Sequence, residues 1–153
     1  MPEVKLDNFG AVLTFAIGRE IDAAEGYAWL AELASTPGLQ ELFLDLEREE
    51  KKHRALLEGL SADGAAPAAF GPVPDLGLTD TLPPESPGPD MTFQDALVFA
   101  AKKEAAAIAL YGGLARAAGT RALRDLFEFL TNQERIHKLR LEDEYERQFL
   151  PEN

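Results

Sequence analysis

Slid along itself by 84 residues (93 minus 9), the chain repeats. Phe9 falls on Phe93, Leu13 on Leu97, Ala16 on Ala100, Glu20 on Glu104, Tyr27 on Tyr111 and Leu30 on Leu114. The match resumes further on, with Leu39 on Leu123, Phe43 on Phe127, Leu46 on Leu130, Glu50 on Glu134, His53 on His137 and Leu57 on Leu141. Most of these positions follow one another at steps of three and four, the spacing that brings side chains to one face of a helix. The repeat therefore predicts two helical hairpins related by a pseudo-twofold axis. A site lying on that axis draws equivalent side chains from each half.

The segments that carry the repeat are rich in Ala, Leu, Glu, Lys and Arg and hold no alternating β-branched runs, which makes the class all-α. Four helices are expected, over about 7–34, 38–60, 92–118 and 120–149. Thr36 can cap the second and Pro37 can occupy its first turn. Thr92 with Asp95 opens the third like a capping box, and Gly119 with Thr120 separates the third from the fourth. Residues 61–90 hold most of the ten prolines and cannot form a regular helix. A connection this long can run the length of a bundle and join parallel helices, although a linker between two independent hairpins has the same composition. With 153 residues and 46% hydrophobic composition, a single domain over 1–153 is expected.

There is no cysteine, so disulfides, thiolate nucleophiles, zinc ribbons and iron–sulfur clusters are excluded, and any metal must be held by oxygen and nitrogen. A formal net charge of −12 argues against a nucleic-acid partner. Apolar stretches are broken by charges well before the ~18 residues that a membrane span needs. The first residues lack the basic start and small-residue cleavage pattern of a signal peptide. A cytoplasmic protein with neither membrane nor nucleic acid as partner is expected.

The inward stripes hold the chemistry. The first helix reads Leu13, Ile17, Glu20, Ala24, Tyr27, Ala31, and the third Phe93, Leu97, Ala100, Glu104, Ala107, Tyr111, Leu114. The second reads Leu39, Phe43, Leu46, Glu50, His53, Leu57, and the fourth Leu123, Phe127, Leu130, Glu134, His137, Leu141. Four unpaired carboxylates in one core would each cost several kcal/mol, against a domain stability of about 5–15 kcal/mol. No stripe supplies a Lys or Arg to neutralise them. Two divalent cations would, with the imidazoles completing the ligand set. A three-residue step rises about 4.5 Å and returns to nearly the same side, so each Glu-x-x-His can address one ion. Glu49 competes with Glu50, but the repeat favours Glu50, because Gln133 stands at the position equivalent to Glu49.

Two helices with a lone glutamate and two with Glu-x-x-His form the known ligand arrangement of ferritin-like di-iron and di-manganese bundles. On Glu20, Glu50-Lys-Lys-His53, Glu104 and Glu134-Arg-Ile-His137 the chain resembles the ferritin-like superfamily, and within it the rubrerythrin and bacterioferritin branches. The resemblance spans all four helices and implies a ferritin-like four-helix bundle with a long crossover between helices 2 and 3. It implies metal ligation by Glu20, Glu50, His53, Glu104, Glu134 and His137, and supporting hydrogen bonds from Tyr27 and Tyr111; read from spacing alone, these tyrosines are equally core aromatics in need of a partner. Ala107 stands where rubrerythrins usually carry a further glutamate. With no cysteine-bound iron in the chain either, the symmetric four-Glu, two-His set looks more like a bacterioferritin ferroxidase site.

The implied cofactor is two iron ions per chain, with Mn possible and Zn as an adventitious substitute. The implied function is oxidation of Fe²⁺, reduction of O₂ or H₂O₂, or both, by a di-iron oxidoreductase of ferroxidase or peroxidase type. An iron-binding or storage component with little turnover is the alternative. Fe²⁺, O₂ or H₂O₂, an external electron donor and further copies of the chain, as a homodimer or larger assembly, are the expected partners.

Overall fold

The computed structural model describes residues 9–63 and 91–150. They form four helices: α1 (Phe9–Leu33), α2 (Pro37–Asp63), α3 (Phe93–Ala117) and α4 (Arg121–Phe149). Three of the starts are fixed by threonines. The Leu39 amide donates to Thr36 Oγ1 at 3.2 Å, Asp95 to Thr92 Oγ1 at 3.1 Å and Leu123 to Thr120 Oγ1 at 3.3 Å. Each bond satisfies an amide that the first helical turn leaves unpaired. Thr36 and Thr120 are equivalent in the repeat, so the two hairpins use the same cap. The proline-rich stretch begins later than its sequence suggests, since α2 continues to Asp63.

Backbones approach most extensively within each hairpin, α1 on α2 and α3 on α4, and between hairpins mainly along α1 and α3. The core falls into two apolar clusters. One gathers Val12, Leu13 and Ala16 from the start of α1, Leu57 from the end of α2, Leu110 and Leu114 from the end of α3, and Phe127 and Leu130 from the start of α4. The other gathers Tyr27 and Leu30 from the end of α1, Phe43 and Leu46 from the start of α2, Leu97 from the start of α3 and Leu141 from the end of α4. The 84-residue shift carries members of each cluster onto the other: Leu13 to Leu97, Leu57 to Leu141, Phe43 to Phe127, Leu46 to Leu130. The pseudo-twofold therefore lies across the bundle and exchanges its two ends. Full burial of a Leu or Phe contributes about 1.5–3 kcal/mol, and Phe43, Leu46, Leu57, Leu130 and Leu141 have no exposed surface.

The placement of the clusters also fixes the topology. α2 leaves the bundle at the end where Leu57 packs, and α3 enters at the opposite end, where Leu97 packs. The two helices thus run parallel. The connection expected over 61–90 lies, apart from its first helical residues, outside the described residues, but its two ends stand at opposite ends of the bundle. A helix of 27 residues such as α2 is about 40 Å long at 1.5 Å per residue, a distance that the 27 residues of 64–90 can span. The architecture is an all-α four-helix bundle.

Apart from adjacent residues and the local helix backbone, no atom lies within 4 Å of where a Cβ would stand on Gly18 in α1 or Gly59 in α2. A glycine inside a helix is disfavoured by about 1 kcal/mol against alanine. Gly18→Ala and Gly59→Ala should each raise stability by roughly that amount, read as a higher urea midpoint at unchanged slope. A lower midpoint for either would show that the local backbone departs from this helix.

Candidate metal centre

Between the two apolar clusters lies a layer of ionisable side chains. Glu20 comes from α1, Glu50 and His53 from α2, Glu104 from α3, and Glu134 and His137 from α4; all are buried, the most exposed being His53 at 2%. One donor atom each from Glu20, Glu50, His53 and Glu134 lies within 4.8 Å of the other three, and the same holds for Glu50, Glu104, Glu134 and His137. Glu50 and Glu134 belong to both groups; Glu49 belongs to neither. The 84-residue shift turns one group into the other.

The contacts repeat the symmetry. His53 Nδ1 is 2.9 Å from Glu134 Oε1 and 3.9 Å from Glu20 Oε2, while His137 Nδ1 is 2.6 Å from Glu50 Oε1 and 3.9 Å from Glu104 Oε2. The two imidazoles stack at 5.7 Å between centroids and 14° between planes. Tyr27 Oη donates to Glu104 Oε1 at 2.6 Å and Tyr111 Oη to Glu20 Oε1 at 2.5 Å, so each tyrosine steadies the lone glutamate of the other hairpin. Their rings pack into the two apolar clusters. Ala107 is buried in the first cluster, so the place of the additional glutamate is apolar.

Arg19 corrects the expectation that no cation reaches this layer. Its Cα lies beside the inward stripe, yet the long side chain bends in until only 9% of it is exposed. One guanidinium nitrogen donates to Glu20 and Glu50 at 3.1 Å each, and the other donates to Glu104 at 3.2 Å and stands 3.2 Å from Glu134. One arginine thus touches the carboxylates of both hairpins. Its counterpart in the repeat, Lys103, instead lies over the Phe99 ring at 5.2 Å. A stripe counts only the positions that face inward, and so misses a flexible cation at its edge.

A single positive charge does not balance four carboxylates. Burial, with Glu104 beside it, holds the Glu50 carboxyl well above the usual range, and burial with Glu134 nearby does the same to Glu104. Burial pushes Glu134 up to about 8, Glu50 and Glu20 adding to the effect and Arg19 opposing it. Glu20 alone falls below the ordinary value: burial would raise it, but Arg19, Glu50 and Tyr111 together outweigh that. Burial works against the Arg19 charge as well, and the four glutamates more than compensate, keeping it cationic.

The fit to metal can be judged from the atoms that these contacts leave over. Glu20 Oε2, Glu50 Oε1, Glu104 Oε2, both oxygens of Glu134, His53 Nδ1 and His137 Nδ1 are buried without a hydrogen bond. Several of these atoms crowd one another at ion-pair distance, His137 Nδ1 against Glu50 Oε1 and His53 Nδ1 against Glu134 Oε1, and Glu134 Oε2 stands beside Arg19, yet each of the six side chains turns at least one potential ligand atom into the layer without a hydrogen bond of its own. A buried polar atom costs about 1–3 kcal/mol when unpaired, and hard oxygen with imidazole nitrogen is the donor set of Fe, Mn and Zn. The residues fit a pair of divalent cations.

Fold and layer together define a class: a helical bundle with a buried carboxylate–histidine cluster able to take metal. The comparisons agree. Residues 11–69 match the family model described as Rubrerythrin, consistent with a ferritin-like diiron-carboxylate protein. A hypothetical protein from Pyrococcus furiosus of known structure is similar, with a TM-score of 0.66 and 27% identity over 88% of this chain and 86% of that one. No curated protein matches.

Glu134 holds its proton to about pH 8 in the folded chain, whereas its ordinary value is 4.5. Between these values the folded state binds more protons than the unfolded one, so stability without metal is fully present below about pH 4.5 and is lost toward pH 8. Glu50 and Glu104, shifted the same way, steepen the loss; His53, whose pKa burial lowers, works in the opposite direction but is one group against three carboxyls. The urea midpoint of chelator-treated protein should therefore fall from about pH 5 to about pH 8, a trend set by Glu134 and its ordinary value. A flat or rising midpoint would contradict the charge state described for this layer.

Proposed function

We propose that the chain is a non-haem dinuclear iron protein that oxidises Fe²⁺, reduces O₂ or H₂O₂, or does both. The single observation that carries the reading is the convergence, in one layer, of ligand atoms from six buried side chains that make no hydrogen bond of their own. Glu20, His53 and the shared Glu50 and Glu134 would hold one ion; Glu104, His137 and the same shared pair the other. When bound, a ferrous pair supplies two electrons to a small oxidant.

The protein's own part is to position and enclose. Tyr27 and Tyr111 fix one oxygen of Glu104 and Glu20 and leave the other for the ion. The two apolar clusters close the layer above and below. Arg19 holds the carboxylates together through its two nitrogens and has to withdraw as the ions enter, because the same carboxylates serve both. Mn could take the place of iron, and Zn could occupy it adventitiously.

A small cleft between α1 and α3 is lined by Asp22, Gly26, Tyr27, Ala100, Lys103 and Glu104, which puts a site carboxylate on its wall. The chain has no cysteine, so sustained turnover is assigned an external electron donor. Assembly is assigned to a homodimer or larger, and the cytoplasm remains the expected compartment; no helix among the described residues is long and apolar enough to cross a membrane. Storage, the second reading, differs from turnover in assembly size and in the amount of iron held.

Anaerobic Fe²⁺ titration should saturate at two ions per chain, and mixing with O₂ or H₂O₂ should then oxidise them. Continued uptake far beyond two, by a large assembly, would favour storage. No saturable binding would overturn the metal reading. Among variants, Glu50→Ala and Glu134→Ala should impair both positions, whereas Glu20→Ala and Glu104→Ala should each impair one. Equal loss in all four would show that the shared roles are misplaced.

A further inference from the structure

The six inward side chains obey the repeat, but the residues just behind the histidines do not. His137 Nε2, the ring nitrogen turned away from the carboxylate layer, lies 2.6 Å from Glu49 Oε2. Arg140 Nη1 stands 3.8 Å behind the same Glu49 oxygen, and Arg140 Nη2 is 4.0 Å from Asp45. His137 is thus backed by a carboxylate that is itself anchored by charge. The shift of 84 residues carries Glu49 to Gln133, Arg140 to Leu56 and Asp45 to Phe129. Around His53 all three charged residues are therefore replaced by neutral ones, and Phe129 meets the His53 ring edge-on at 6.4 Å between centroids.

The geometry points to Glu49 as a positioning residue that makes the two metal positions unequal, the one at His137 tight and the one at His53 weak and exchangeable. The inference rests on the metal reading of the site. Its chemical basis is general. An imidazole can face a cation through Nδ1 only in the tautomer that carries its proton on Nε2. A carboxylate accepting from Nε2 fixes that tautomer and ring orientation and makes Nδ1 a stronger donor, and its loss typically weakens metal affinity 10–100-fold. A glutamine at the same place offers a neutral amide oxygen, and the described structure gives Gln133 no hydrogen bond to His53. The two histidines face shared carboxylates in the same way, so the difference between the positions comes from behind the rings.

A further consequence is an order of filling. The first divalent cation enters at Glu50, Glu104, Glu134 and His137, and the second at the His53 position, whose ion is the one free to exchange. For an iron-oxidising protein, that position would take up the ion that turns over.

Co²⁺ tests this without redox chemistry, because ligation by oxygen and nitrogen gives it visible absorption bands. Titrated with a competing chelator, the wild-type protein should bind Co²⁺ in two steps with affinities more than about 10-fold apart. His137→Ala should remove the tight step and His53→Ala the weak one. Glu49→Ala should weaken the tight step by roughly 10–100-fold and shift its bands. Glu49→Gln, which copies the other half, should bring the two affinities together, and Gln133→Glu should strengthen the weak step. Far-ultraviolet circular dichroism and the urea midpoint keep each variant's folding in view.

Two steps of equal affinity in the wild type, or a Glu49→Gln variant with both steps unchanged, would overturn the inequality while leaving the metal reading intact. No saturable Co²⁺ binding, with Glu50→Ala indistinguishable from wild type, would overturn both. Gln133→Glu is a separate check, since a surface carboxylate with no part in positioning His53 would leave the weak step and its spectrum where they were.

Discussion

Four carboxylates in one layer of a helical core are the constraint around which this molecule is built. Ion pairs buried in a protein interior often fail to recover the cost of leaving water, and here negative groups outnumber the cation four to one. The bundle responds at several levels. Tyrosine hydroxyls take one oxygen each from Glu20 and Glu104, and Arg19 spreads its guanidinium over all four carboxylates. Glu50, Glu104 and Glu134 are still driven toward the protonated form. Apolar clusters on either side carry the folding energy that the layer consumes. Such an arrangement makes sense for a site whose charge is completed by something that binds.

The pseudo-twofold explains how a short chain builds such a layer. One hairpin offers a lone glutamate on its first helix and a Glu-x-x-His on its second; two hairpins, placed head to tail, bring both sets to the same height. Turning the second hairpin end for end also exchanges the clusters, so Leu13 and Leu97 serve opposite ends of the bundle. The same operation forces α2 and α3 to run parallel. A tight turn could not join them, which accounts for a proline-rich connection where other helix pairs make do with three residues.

Much of this was legible in the sequence, for identifiable reasons. Periodicity at three and four places the inward residues of all four helices, and threonine caps at Thr36 and Thr92 mark two of the starts, because both are local properties. The repeat doubles each signal. The class and the six buried ionisable residues follow from these. Arg19 did not, since where a long side chain bends depends on the field of four carboxylates from four helices, none of which its own helix reveals. Glu49 was visible only as a rival to Glu50. Its contact with His137 crosses from α2 to α4, and the one local clue is the unequal pair Glu49 and Gln133, which favours Glu50 as the inward residue and also marks an asymmetry.

The way the symmetry breaks has its own logic. Atoms that converge on the layer are held to one pattern by burial and by the donor geometry of their partners, so Glu20 and Glu104, Glu50 and Glu134, His53 and His137 stay alike. An object that lies on a twofold axis, by contrast, can be present only once. The Arg19 guanidinium reaches the carboxylates of both hairpins, and a second one from the equivalent position would claim the same space; that position holds Lys103, which lies over Phe99 instead. One step further out, behind the imidazoles, neither burial nor the axis enforces equality, and there Glu49, Arg140 and Asp45 face Gln133, Leu56 and Phe129. The repeat is thus strictest where the chemistry is shared, single where space is shared, and free to diverge where a side chain can act on one half alone.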